Sequence, residues 1–293
     1  MRARKSLQLA FGSVCGPARA INEDEFLVYE PQDPEELQRL GRLLIVADGV
    51  GGGPAGAEAS HVALRHFLAA FLDAEGPSAA RLSRGVSAAN SALAAEVRRR
   101  PNLEGMATTL TAINLRGHRL EGVQLGDTVC LLGREGQWTA LSPIHRAMTS
   151  TRLTRAVGAG GERAEAEPFE AELRAGDLLL LATDGIWDGL GEERVFGILR
   201  GLEPELGVQR LLEAAQRTAG GDNATAVLMR VPELEVDQST SFRELHEISP
   251  PAPLPEYGRG EAPGRILRLL PWLFLGLAAL LLAAHFAGWL QRL

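Results

Sequence analysis

The sequence predicts a layered α+β body followed by one C-terminal transmembrane helix. Three observations carry this. Apolar, strand-like runs cluster in the middle of residues 1–232, with helical patterns around them and no simple βαβ alternation. An acidic stretch containing proline and glycine follows at 233–264. Residues 269–290, LLPWLFLGLAALLLAAHFAGWL, then run for 22 residues without a formal charge.

Strands are expected at 26–29, 42–47, 109–114, 119–124, 128–132, 177–183 and 224–231. Each is a short run rich in apolar or β-branched residues. Helices fit 57–72, 77–99, 193–200 and 208–219. In 77–99 apolar or small residues recur at helical spacing, with polar residues between them.

The 293 residues are 45% hydrophobic and 23% charged, a globular composition with ample material for a core. Thirty basic and 37 acidic residues give a net charge of −7, so no basic excess points to nucleic acid. Two cysteines, Cys15 and Cys130, are too few for a disulfide framework or a cysteine-built zinc site. A reducing cytoplasm is the expected compartment.

Charge divides the chain into a body at 6–232, an acidic linker at 233–264 and a basic apolar tail at 265–293. The linker carries seven acids against two arginines, and the tail carries three arginines and no acid. As a helix rising ~1.5 Å per residue, 269–290 would be roughly 33 Å long, enough for a hydrocarbon core of about 30 Å. Trp272 and Trp289 stand near its ends as interfacial aromatics. Arg259, Arg265 and Arg268 precede the span and only Arg292 follows it, which puts the body on the cytoplasmic side. The N-terminus has a basic start but no sustained apolar core, so a signal peptide is not expected. The expected protein is therefore a single-pass, tail-anchored protein of the cell (inner) membrane. Its linker, as a flexible coil, reaches on the order of 30 Å.

The chemistry-bearing residues stand where aspartates meet strands. Asp48-Gly49 ends one apolar run and Asp184-Gly185 ends another. Asn22-Glu23-Asp24 precedes the strand at Phe26, Asp127 joins two strands, and Asp222-Asn223 precedes the last strand. Any one Asp-Gly pair is most simply a turn, and Gly51-Gly52-Gly53 alone is a flexible one. Together the carboxylates can converge at one sheet edge. Converging carboxylates repel and are costly to desolvate, and hard divalent cations such as Mg²⁺ or Mn²⁺ relieve both costs.

The order of these blocks resembles the metal-dependent PPM-type Ser/Thr protein phosphatases (the protein phosphatase 2C family), particularly bacterial members. The matching blocks are ARAINEDEF at 18–26, VADGVGGGPAGAEAS at 46–60, ATTLTAINLRGHRLEGVQLGDT at 107–128, LTRAVG at 153–158, LRAGDLLLLATDGIWD at 173–188 and GGDNATAVLM at 220–229. The resemblance implies a four-layer α-β-β-α sandwich, with two antiparallel sheets flanked by helices and a two-metal site at one edge. It implies Asp48 as the metal-bridging carboxylate and the Gly49 carbonyl as a ligand of the second metal. Asp184 and Asp222 become ligands of the first metal. Asp24, with a contribution from Glu23, supports the second. Asp127 matches the aspartate that, with Asp184, holds a third, weaker divalent metal in some bacterial members. Arg19 takes the phosphate-binding position, where a guanidinium offers paired donors and a permanent charge. The implied activity is hydrolysis of phosphoserine and phosphothreonine in proteins by metal-activated water, with two Mn²⁺ or Mg²⁺ ions. The implied partners are Ser/Thr-phosphorylated proteins and the Ser/Thr kinase that the enzyme counteracts.

Three departures stand out. Val50 replaces a histidine of eukaryotic relatives, usually methionine in bacterial ones, which leaves the proton donor to the leaving group unassigned. Gly53 replaces a histidine frequent in bacterial relatives, while the nearby His61 and His66 read as helix-surface or core residues. LSPIHRAMTSTRLTRAVG joins two elements that relatives separate by a few tens of residues, so the flap beside the site is nearly absent. Two other readings remain. One is a catalytically weak, membrane-tethered phospho-binding or scaffold module, which the retained aspartates disfavour. The other is a phosphohydrolase of small phosphate esters, which the short flap leaves open.

Overall fold

The computed structural model describes residues 8–50, 54–142, 144–146, 153–159, 164–218 and 221–231. The linker and the expected span at 269–290 lie outside the described residues. Among the described residues no helix is long and apolar enough to cross a membrane.

Among the described residues, eleven strands and six α-helices follow one another. In chain order they are β1 (Gln8–Val14), β2 (Asp24–Tyr29), α1 (Pro34–Leu40), β3 (Arg42–Val50), α2 (Pro54–Asp73), α3 (Ser78–Arg99), β4 (Ala107–Thr108), β5 (Leu110–Arg116), β6 (Arg119–Leu125), β7 (Val129–Arg134), β8 (Gln137–Ala140), β9 (Glu167–Glu172), β10 (Leu178–Ala182), α4 (Asp184–Leu190), α5 (Glu192–Leu199), α6 (Pro204–Gln216) and β11 (Ala224–Arg230). Sheet I has the order β2-β3-β5-β6-β9, with β4 paired to β3, and sheet II the order β1-β11-β10-β7-β8. Every strand pair is antiparallel.

Side-chain alternation builds the layers. On β3, Leu43, Ile45 and Ala47 pack with Phe67 and Phe71 of α2 and Leu82 and Leu93 of α3. The intervening Leu44 and Val46 face the other way, toward Leu179, Leu181, Val227 and Met229 of sheet II. On β10 the next parity, Leu180 and Ala182, meets Ile186 of α4 and Val208 and Leu211 of α6. Because strand residues alternate faces, each central strand supplies two cores, and the result is helix, sheet, sheet, helix. The expected four-layer sandwich is the observed one.

All seven expected strands and four expected helices are present, with shifted ends. Sequence reading missed the two-residue β4 and also β1, β8 and β9, which are edge strands of their sheets. β9 reads EPFEAE with exposed and half-buried positions alternating, so it carries little apolar signal. It also missed α4, which begins at the Asp184-Gly185 pair, and α1, although Asp33 caps α1 by accepting from the Glu35 N–H at 2.8 Å and Pro34 opens its first turn. The helix expected at 208–219 begins earlier, at Pro204, and ends at Gln216. Proline in the first turn lacks only an N–H that a helix start leaves unpaired. Arg146 and Leu153 pair as an isolated antiparallel bridge.

Candidate active site

The sheet registers bring the predicted carboxylates to one rim of the sandwich. Asp24 is the first residue of β2, not a loop residue ahead of it, and stands opposite Asp48 of β3. Cross-strand partners share a face. Ala47 faces the helices, so Asp48 points toward the sheet interface at the open end of the strand. Asp184 opens α4 directly after β10, and Asp222 precedes β11, so sheet II delivers two more carboxylates. Asp127 lies in the β6–β7 connection and is buried.

Hydroxyl groups hold this rim. Thr183 Oγ1 donates to Asp24 Oδ2 at 2.7 Å, and Thr225 Oγ1 donates to the same oxygen at 2.8 Å. Thr225 is in turn 2.7 Å from Ser13 Oγ on β1, which accepts from Asn22 Nδ2 at 2.7 Å. The Asp48 backbone is clamped by neighbouring threonines. Its N–H donates to Thr109 Oγ1 at 2.9 Å, and its carbonyl accepts from Thr109 N–H and Thr108 Oγ1, both at 2.9 Å. Sequence reasoning missed these threonines; the only signal was their place inside the quoted motif blocks.

Glu23 and Gly49 meet at the start of α2. The Gly49 N–H donates to the Glu23 carbonyl at 3.1 Å, and Ser60 Oγ donates to that carbonyl at 2.7 Å. Gly56 faces them both: a Cβ there would lie 1.8 Å from Glu23 Oε2 and 2.9 Å from the Gly49 carbonyl oxygen. A close approach also explains Gly185, where a Cβ would stand 1.9 Å from the Asn223 carbonyl oxygen. The Asp184-Gly185 pair is thus no hairpin turn but a helix start packed on the 222–223 segment. Asn223 fixes that segment to the first motif, accepting from the Glu23 N–H at 3.0 Å and donating to the Ile21 carbonyl at 3.2 Å.

Electrostatics show how closely the carboxylates are coupled. Burial, with the charges of Asp184 and Asp222, lifts the Asp24 carboxyl to about 7 against the two threonine hydrogen bonds. Burial and the neighbouring Asp127, Asp222 and Asp188 lift Asp184 to about 6. Asp48 is pushed well above the usual carboxylate range, first by burial and then by Asp24, Asp184, Asp127 and Asp222.

Arginines supply the counter-charge. Arg19 is bonded to Asp222 and feels Glu23 and Asp48 as well. Arg146, which sequence reading did not single out, pairs with Asp127 and Asp188 and lies 3.7 Å from Asp184. Asp188 is one helical turn beyond Asp184 on α4, a spacing visible in the DGIWD block.

Other titratable groups stay outside this cluster. His61 lies 3.6 Å from Glu25 at the α2 surface, and His66 is exposed on the same helix. Cys15 donates to the Arg19 carbonyl at 3.5 Å. Cys130 is buried between the sheets, and burial alone pushes its thiol far up.

Among the described residues, no three His, Cys, Asp or Glu side chains are already gathered tightly enough to close on one ion. The donor set still fits hard divalent cations. It is built from carboxylates and a backbone carbonyl, and burial, with repulsion from the neighbouring carboxylates, raises the proton affinity of Asp24, Asp48 and Asp184. A cation removes the same repulsion that the protons remove.

Two antiparallel sheets between helix layers, with carboxylates from both sheets meeting an arginine at one rim, place the chain in the class of phosphatase-type α-β-β-α sandwiches. Residues 30–224 match the family model for protein phosphatase 2C. The serine/threonine protein phosphatase PstP of Mycobacterium tuberculosis is 35% identical over 254 residues, which cover 80% of this chain and 46% of that protein. The chain thus spans about half the length of that curated relative. The crystal structure of M. tuberculosis PstP/Ppp superposes with a TM-score of 0.67 at 34% identity, covering 78% of this chain and 99% of that one. The catalytic domain of PstP in complex with two manganese ions gives 0.66 at 35% identity, with the same coverage. The chain belongs to the protein phosphatase 2C family.

Proposed function

We propose that this chain is a divalent-metal-dependent protein phosphatase that removes phosphate from phosphoserine and phosphothreonine. The observation that carries the reading is the set of Asp24, Asp48, Asp184 and Asp222 carboxylates, drawn from both sheets to one rim beside Arg19. The manganese-bound PstP catalytic domain, similar over 78% of this chain, supports two divalent cations here.

Asp48, Asp184 and Asp222 would hold the cations, with the Gly49 carbonyl, Asp24 and Glu23 supporting the second. When bound, such cations supply Lewis acidity and lower the pKa of a coordinated water toward neutrality. In the reaction a water oxygen replaces the seryl or threonyl oxygen on phosphorus. The P–O bond to the seryl or threonyl oxygen breaks, and that oxygen takes up the proton that the attacking water gives up. Arg19 binds the phosphoryl oxygens, exchanging its Asp222 contact for them. The threonine bonds to Asp24 and the Asp48 backbone fix the carboxylates before substrate arrives.

The body works at the cytoplasmic face of the inner membrane, held by the linker at 233–264 and the apolar span at 269–290, and opposes a Ser/Thr kinase there. The early Arg146–Leu153 pairing supports a nearly absent flap, hence a rim open to folded phosphoproteins.

Phosphate release from a phosphothreonine peptide by the full chain in detergent, with Mn²⁺ and beside Asp184→Asn, tests the reading. Release that needs Mn²⁺ and falls sharply in the variant is expected. A folded, metal-loaded chain without release overturns it, and turnover of small esters alone assigns a different substrate class. Deleting 265–293 should move the protein to the soluble fraction; retention with membranes removes the anchor.

A further inference from the structure

Three carboxylates outside the Asp24–Asp48 pair meet a single side chain. Arg146 Nε donates to Asp127 Oδ2 at 3.0 Å, and Nη2 reaches the same oxygen. Nη1 is bonded to Asp188 of α4, and Nη2 lies 3.7 Å from Asp184. The guanidinium therefore spans a carboxylate of the β6–β7 connection and two of α4.

The backbone places it there. The His145 N–H donates to the Gly126 carbonyl at 2.8 Å, and the Gly126 N–H donates to His145 Nδ1 at 3.3 Å. His145 Nε2 is anchored 2.9 Å from Glu167 on β9. This reciprocal clamp ties residue 145 to the connection that carries Asp127. On the other side, the Thr154 N–H donates to the His145 carbonyl at 3.0 Å, and Arg146 bridges to Leu153. Arg146 is only partly exposed and Asp127 is buried. A buried carboxylate beside two others requires a cation, and this one is covalently part of the chain.

We propose that the Arg146 guanidinium is a built-in substitute for a divalent cation at Asp127, Asp184 and Asp188, so that the protein binds two metal ions and no third. This rests on the reading that Asp48, Asp184, Asp222 and Asp24 hold divalent cations. Carboxylates of this kind, brought to one side chain, are the hard oxygen donors that a cation of the Mg²⁺ or Mn²⁺ kind takes, and here the guanidinium stands among them. A tethered guanidinium neutralises them at any ion concentration and resists chelators. It also leaves Asp184 free to serve the two-ion site, because Arg146 makes its close contacts with Asp127 and Asp188. Arg146 is a positioning residue: it acts through these carboxylates.

The test counts Mn²⁺ per chain in the full-length protein, stripped with chelator, held in detergent and dialysed against rising Mn²⁺. The wild type should reach two ions per chain. Arg146→Ala and Arg146→Gln should each gain one further, weaker ion, and adding Asp127→Asn should remove it again. Arg146→Lys, which keeps the charge, should stay at two. Near-UV circular dichroism checks the fold, and the Gln variant serves if Ala disturbs it. Three ions in the wild type, or two in both the Ala and Gln variants, overturn the proposal and leave the two-metal reading standing. A folded wild type that binds none overturns the two-metal reading itself.

Discussion

Asp24 and Thr183 are joined by a 2.7 Å hydrogen bond that runs from one sheet of the sandwich to the other. Asp24 begins β2 in sheet I, and Thr183 follows β10 in sheet II. Both are buried, and Thr183 Oγ1 also accepts from the Thr225 N–H at 3.0 Å. The bond thus fixes a site carboxylate and the spacing of the two sheets together. Thr183→Val should leave a buried carboxylate oxygen and a buried N–H each short of one partner. A loss of about 1–3 kcal/mol is expected for such unsatisfied groups. Urea denaturation of the metal-free protein measures it, and Thr183→Ser should recover most of it.

The raised carboxyl groups give the metal-free protein an unusual pH response. Asp24 moves from an ordinary 3.8 to about 7 on folding, and Asp184 from 3.8 to about 6. Between these limits the native state holds protons that the unfolded chain has lost. Stability should therefore fall as pH rises from about 4 to about 7 in the presence of chelator. Asp24→Asn, which cannot ionise, should flatten that slope. Saturating Mn²⁺ should act in the opposite sense, because ligands must lose their protons to bind it, so its stabilising effect grows with pH. Thermal melts across this range, with and without Mn²⁺, check both slopes.

Arg19 should separate phosphate recognition from metal binding. Its guanidinium is half-exposed at the rim and bonded to Asp222. Arg19→Ala should lower kcat by about 10²-fold, the typical loss for one donor to developing transition-state charge. Mn²⁺ stoichiometry should not change, since Arg19 donates no lone pair. Arg19→Lys should recover only part of the rate, because an ammonium lacks the paired, planar donors. Steady-state kinetics together with ion counting test the separation; a lost metal ion in Arg19→Ala would refute it.

The sequence made the aspartates legible because each one borders an apolar strand, and a charge at the end of a buried strand has few purposes. β3 and β10 were readable for the same reason: strands buried on both faces are continuously apolar. The edge strands β8 and β9 have one exposed flank and polar composition, so their pairing depends on neighbours far away in sequence. The threonines around Asp24 and Asp48 were invisible as partners because a hydroxyl's role is set by the register of two separate sheets. Arg146 was hidden for a related reason. Its carboxylates come from Asp127 and from α4, and only the His145–Gly126 clamp brings them to it.

Gly56 offers the sharpest steric test of the site. It lies in the first turn of α2, where the backbone passes over Glu23 and the Gly49 carbonyl. A methyl group there would fall 1.8 Å from Glu23 Oε2, and the Glu23 backbone is pinned by Asn223, Ser60 and Gly49. The carboxylate must therefore swing away, or α2 must lift from β3. Overpacking of this kind costs about 1–3 kcal/mol. Alanine otherwise favours a helix over glycine by about 1 kcal/mol, so a net loss of stability would isolate the steric term. Gly56→Ala should be destabilised and should bind Mn²⁺ more weakly, since Glu23 and the Gly49 carbonyl are both displaced. Ala57→Gly, in the same turn, adds no atom and should lose only helix propensity and keep its affinity for Mn²⁺. Calorimetric Mn²⁺ titration of the two variants decides the matter: equal affinities would mean that the Glu23–Gly56 contact does not shape the metal site.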